Sequence, residues 1–123
     1  MILDAGAFIA FERGDRTLAA LLKRELLAGR RPCTHGGVVG QIWRAGARQA
    51  RTAKLLQAIE VIDLGLELGR RAGLLLGRTR RSDVVDAALV LLARDSDWIV
   101  TSDPDDLYPL AASAGLQVEI VRV

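Results

Sequence analysis

The stretch Ser82-Asp83-Val84-Val85-Asp86-Ala87-Ala88-Leu89-Val90-Leu91-Leu92-Ala93, with Trp98-Ile99-Val100-Thr101 close behind it, decides the fold. The first part reads as one helix. Ser82 is a good N-cap, and Asp83 falls in the first turn, where the helix dipole favours an anion. From Val84 to Ala93 only Asp86 is polar, so no face is clearly wet and the helix belongs in the interior. A buried carboxylate without a partner is costly or takes up a proton. Asp86 therefore needs an arginine, a cluster of donors or a metal.

Outward from this helix, strand and helix signals alternate. Strands are expected at Met1–Asp4, Arg31–Cys33, Glu60–Leu64, Trp98–Thr101 and Gln117–Val121. Helices are expected over Ala5–Glu12, from an Asp15 cap to Ala28, from a Thr34 cap over Gly36–Gly46, over Gln49–Ala58 and Leu66–Arg78, and near Asp105–Ala112. Such alternation predicts an α/β chain: helices on both faces of a mainly parallel sheet of four or five strands, a three-layer sandwich forming a single domain over residues 1–123.

Half of the 123 residues are apolar and only 4 % are aromatic, so the core is aliphatic. No apolar run approaches the ~18 residues of a membrane span. Met1-Ile2-Leu3-Asp4 reaches an acid at once, unlike a secretory leader. The single cysteine, Cys33, excludes an internal disulfide and suits a reducing compartment; a cytoplasmic, membrane-free protein is expected. Net charge is +2, and of the 17 basic residues only Lys23 and Lys54 are lysines. Arginine's planar fork suits phosphate oxygens, which makes a nucleic-acid partner plausible.

In open parallel sheets, ligands bind beyond the carboxyl ends of the strands, at the switch in strand order. Asp4 ends the first strand, Asp103 follows the fourth, and Asp86 lies on the helix leading into it. If strands one and four are neighbours, the three carboxylates meet and repel one another. A hard divalent cation relieves that repulsion, and oxygen-only donors suit Mg2+ or Mn2+ rather than zinc. Asp105 is expected to serve only the turn and helix cap of Asp103-Pro104-Asp105-Asp106.

With these acids placed, the chain resembles the PIN-domain ribonucleases, specifically the VapC-like toxins of bacterial toxin–antitoxin pairs. The resemblance spans nearly the whole length. It rests on Met1-Ile2-Leu3-Asp4-Ala5-Gly6-Ala7, Gly40-Gln41-Ile42-Trp43-Arg44, Ser82-Asp83-Val84-Val85-Asp86-Ala87 and Thr101-Ser102-Asp103-Pro104-Asp105-Asp106-Leu107, in this order. It implies a three-layer PIN-like fold, Mg2+- or Mn2+-dependent endonucleolytic hydrolysis of RNA, a homodimer, and neutralisation by a VapB-like antitoxin. It assigns Asp4, Asp86 and Asp103 as catalytic metal ligands, with Asp83 and Asp106 as further acids. The family usually has Glu where this chain has Gln41. An amide can hydrogen-bond a metal-bound water but adds no charge and cannot act as a base. Glu12 is then a candidate substitute acid. The alternatives are work with three acids, or a catalytically silent module that retains antitoxin pairing.

Arg44, Arg48 and Arg51 recur at helical spacing and would form either a phosphate-tracking stripe or a solvated face. Arg81, beside Arg78 and Arg80, could meet RNA or an acidic partner. Gly65, Gly69, Gly73 and Gly77 predict close packing of one helix, against the sheet or across a dimer. Cys33 and His35 lack a third, orienting residue, and ordinary packing is expected of them. Asp63 could accept a phosphoryl group in a receiver-like domain, but no lysine follows a late strand.

Overall fold

The computed structural model describes all 123 residues. Its order is β1 (Ile2–Leu3), α1 (Ala5–Glu12), α2 (Arg16–Leu27), β2 (Cys33–His35), α3 (Gly36–Ile42), a 3-10 turn (Ala47–Gln49), α4 (Ala50–Ala58), β3 (Glu60–Ile62), α5 (Leu66–Thr79), α6 (Val84–Leu91), β4 (Trp98–Thr101), α7 (Pro104–Ser113) and β5 (Glu119–Arg122). The strands form one all-parallel sheet in the order β3-β2-β1-β4-β5. The chain runs outward from β1 to β3, then crosses back to β4 on the other side of β1. Because parallel crossovers are right-handed, this reversal puts the two groups of helices on opposite faces. α1 packs on α2, α3 and α4, while α5, α6 and α7 pack on one another. The result is a three-layer α/β/α sandwich, as the alternating pattern predicts.

A single aliphatic core fills it, with Leu3, Phe8, Val38, Leu75, Leu89, Ile99 and Leu107 essentially inaccessible. α6 supplies Ala87, Ala88, Leu89 and Val90, all buried. Its first turn departs from the expectation of burial all round: Val84 is exposed and Asp86 is half-buried. Asp83, not Ser82, is its N-cap, accepting from Val85 N at 2.9 Å and Asp86 N at 3.1 Å. A carboxylate one residue on reaches the free N–H groups that the shorter Ser82 does not.

Several boundaries move for identifiable reasons. β2 begins at Cys33 rather than Arg31, since Pro32 has no N–H for the ladder; pairing starts with Cys33 N on Met1 O. Thr34 lies inside β2 and donates to Leu3 O at 2.7 Å, so His35, not Thr34, caps α3. α3 stops at Ile42, short of Gly46. The Gln49 side chain donates to Ile42 O at 2.6 Å and accepts from Arg44 N at 2.8 Å, sealing the helix end. Ala45 then turns the chain at φ +55°. β3 ends at Ile62, two residues early, and β5 starts at Glu119, two residues late.

The glycine pattern on α5 does not serve core packing. A Cβ built on Gly65, Gly69, Gly73 or Gly77 would meet nothing within 4 Å, so the stripe faces outward.

Candidate functional site

β1 and β4 are central neighbours, with Leu3 opposite Val100. Asp4 leaves β1 with its N–H on Val100 O at 3.0 Å, and its carboxylate turns to cap α1. Oδ1 accepts from Ala5 N at 2.7 Å, and Oδ2 accepts from the buried Thr101 hydroxyl at 2.7 Å. Thr101 Oγ1 in turn accepts from Asp103 N at 3.0 Å. One hydroxyl thus uses its proton on Asp4 and a lone pair on Asp103, tying the ends of both strands together. The Asp103 side chain is exposed and does not cap α7; its Oδ2 accepts from Ser102 Oγ at 3.1 Å. Gly6 lets α1 lie against this turn. A Cβ there would fall 2.5 Å from Ser102 Oγ and 2.6 Å from Ser102 N, distances no side chain can occupy.

α6 brings the second half of the site. His35 is fully buried and holds the first turn of α6 through a 2.9 Å bond between Nε2 and Val85 O. Gly37 N donates to Nδ1 at 3.0 Å. Nδ1 is therefore unprotonated and Nε2 carries the hydrogen, a neutral tautomer consistent with burial lowering the imidazole's pKa. Both ring nitrogens are occupied, so no Cys33–His35 catalytic pair forms, and burial pushes the Cys33 thiol up.

Asp86 is the most perturbed carboxyl in the molecule. Burial, then the negative charges of Asp83, Asp4, Asp106 and Asp103, raises its pKa to about 7. Asp83, Asp86 and Asp106 line a cavity of about 250 Å³ together with Arg81, Ser82 and Leu110. Of these acids Asp106 is paired, with Arg81 Nη1 lying 3.5 Å from its Oδ1. Five carboxylates from three distant stretches therefore share one rim, with Arg81 on its helix side and, on its strand side, Arg122, whose Nη1 donates to Ser102 O at 3.0 Å and whose Nη2 lies 3.8 Å from Asp105 Oδ2. The N-termini of α1, α6 and α7 also end here. Their dipoles offset part of the repulsion and would favour a bound anion.

Does a divalent cation fit? The donors are all oxygen, and the charge is under-compensated, as a hard cation requires. The side chains do not form a ready cage: no three of them stand close enough together to enclose an ion. Asp103 is exposed and Asp86 half-buried, so both have room to swing toward one. Asp4 is fixed by its two hydrogen bonds.

Gln41 is exposed on the last turn of α3. Glu12 Oε2 accepts from Thr52 N at 2.7 Å and Thr52 Oγ1 at 2.8 Å. These bonds hold its pKa below the usual range and tie the end of α1 to the start of α4, a structural task. Arg44 is not helical; its Nη1 donates to Gly40 O at 3.2 Å and Trp43 O at 2.7 Å, satisfying the end of α3. Arg48 sits exposed in the 3-10 turn. The expected single helical face of Arg44, Arg48 and Arg51 is broken by the bend at Ala45. Thr101 and His35 organise the site and were not assigned to it from the sequence. A hydroxyl ending a buried strand level with an acid was the only available signal for Thr101. Compared with known proteins, the chain matches no family model and no curated protein.

Proposed function

We propose that this protein is a metal-dependent endoribonuclease of the PIN-domain, VapC-like type. The observation that carries the reading is the convergence of Asp4, Asp83, Asp86, Asp103 and Asp106 at the carboxyl ends of β1 and β4, with only Asp106 of the five in an ion pair. Asp4, Asp86 and Asp103 would hold Mg2+ or Mn2+, with Asp83 and Asp106 adding charge around them. When bound there, such a cation would lower the pKa of a water and stabilise charge at a leaving oxygen. The chain's own residues do the rest. Thr101 orients Asp4, His35 fixes the helix that carries Asp86, and three helix N-termini draw the phosphate to the rim.

Two surfaces support the partners this reading implies. Between α2 and α4 lies an apolar groove of about 410 Å³ containing Phe11, Leu22, Leu26 and Leu27, with Lys23 and Lys54, the only lysines, at its edges. It suits an acidic amphipathic helix such as an antitoxin segment would offer. On α5, Leu66 and Leu74 are about 70 % exposed (69 % and 70 %) beside the open glycine stripe, a surface suited to a second copy of the chain.

Cleavage of single-stranded RNA by the purified protein with Mg2+, Mn2+ or EDTA tests the proposal. Metal-dependent cleavage that disappears in Asp4→Ala is expected. A second reading, a catalytically silent module that keeps its partner, draws on the neutral, exposed Gln41 and on Glu12 being engaged by Thr52. Absence of cleavage under every metal condition would decide for it. No helix is long and apolar enough to cross a membrane. A cytoplasmic location belongs to the same proposal.

A further inference from the structure

The outer face of α1 separates two hollows that share Ile9 and Arg13. The larger, about 570 Å³, runs from Gly6 and Ser102, at the edge of the acid rim, to Arg13 and Gly14. The smaller, about 150 Å³, continues from Arg13 toward Ile42 and Gln49. Arg51 closes over the turn after α1: a Cβ on Gly14 would lie 2.8 Å from its Nη1. Arg13 and Arg51 are both exposed, and neither belongs to any of the molecule's ion pairs. Of the two neighbouring acids, Asp15 caps α2 through Leu18 N, and Glu12 holds Thr52 and lies near enough to feel the Arg51 charge without coming within ion-pair distance. Between the arginines and the rim, Ile9 is 47 % exposed. The channel thus offers guanidinium forks, an apolar step and an end beside Asp103.

We propose that this channel is the path of the RNA strand, with Arg13 and Arg51 binding backbone phosphates and Ile9 contacting a base. The assignment deepens the nuclease reading and rests on it for the polarity of the path, from the arginines to the acids. It replaces Arg44 and Arg81, whose guanidiniums are already occupied by carbonyls and by Asp106. An unpaired strand suits the channel better than a duplex, because only unpaired bases are free to reach Ile9.

The test is binding of a labelled single-stranded oligoribonucleotide in EDTA, followed by fluorescence anisotropy over a range of salt. Without metal, the result is independent of cleavage, so failure of the nuclease reading and failure of this one are separable. The double variant Arg13→Glu/Arg51→Glu is expected to bind at least ~10-fold more weakly, and its slope of log affinity against log salt should fall by ~1.4, about 0.7 for each phosphate released. Arg13→Lys/Arg51→Lys keeps both charges and should keep the slope, which separates phosphate contact from folding. Arg94→Ala, at the opposite end of the sheet, is the charge-removal control and should bind like the parent. Unchanged affinity in the double Glu variant, or weaker binding with an unchanged slope, overturns the proposal. So does preferential binding of duplex RNA, or equal binding of a polyglutamate peptide through the same arginines.

Discussion

The two halves of the acid rim are built on opposite terms. On the strand side, Asp4 is 8 % exposed and has both oxygens engaged, and Thr101 carries the linkage on to the Asp103 backbone. On the helix side, Asp83 caps α6, but Asp86 and Asp106 face a cavity with only Arg81 to answer them. The strand side is rigid and satisfied; the helix side is charged and under-partnered. The contrast teaches where a cation would do its work. It would gain little at the groups already bonded and most at Asp86, where burial and four like charges have pushed the pKa to about 7.

Loss of cleavage is the largest effect that can break this comparison. Asp86→Asn and Asp4→Asn should each lower metal-dependent RNA cleavage by more than ~100-fold, since changes one shell further from a metal already cost ~10–100-fold. Only the Asp4 variant should also melt earlier, because it disturbs the α1 cap and the Thr101 bond. Equal melting of the two would erase the distinction between the halves.

Gly6→Ala probes the tight side. The added methyl meets Ser102 N as well as its hydroxyl, so the backbone itself must shift, at a cost of about 1–3 kcal/mol in urea unfolding. A neutral result would show slack where the strand side is expected to have none.

The pH dependence probes the loose side. Native Asp86 holds its proton more tightly than its ordinary value of 3.8. Between roughly that pH and 7 the folded state binds more protons than the unfolded, so stability must fall as pH rises. Asp86 is half-exposed, and solvent screening reduces the effect to about 1–2 kcal/mol. In EDTA, Asp86→Asn should remove this slope and melt above the parent at pH 8. Mn2+ should raise the parent's melting temperature at pH 8 and leave the variant's unchanged.

Glu12→Gln is the smallest change. It should lower the melting temperature by about 2–5 °C through the α4 end, as a weakened cap does. Cleavage per folded molecule should hold. Loss of cleavage with unchanged melting would return Glu12 to the metal.

Which parts of this were legible in the sequence follows from the range of the interactions. Asp4, Asp86 and Asp103 could be placed because each ends a strand or opens a helix whose residues are local. The β4 span, Trp98–Thr101, is as expected for the same reason. The end of α3 was not legible, because it depends on Gln49 folding back seven residues onto Ile42 O. Glu12 reads as a spare acid until its partner Thr52, forty residues on, comes alongside. Thr101 answers an acid 97 residues away. The glycines of α5 carry a regular spacing that says nothing of which side faces solvent.

His35 has a consequence for the whole molecule. Its imidazole fastens β2, α3 and α6 together only while one nitrogen stays bare. Acid therefore acts in two opposed senses. It quiets Asp86, which favours folding, and at lower pH it protonates His35, whose depressed pKa means that the unfolded chain takes up that proton first. In metal-free protein the gain from protonating Asp86 as pH falls through about 7 is therefore opposed from about 6.5 downward, where the imidazole of the unfolded chain takes up its proton, whereas cleavage would demand Asp86 without its hydrogen. Endurance and catalysis would then ask for opposite charge states of one crowded carboxyl.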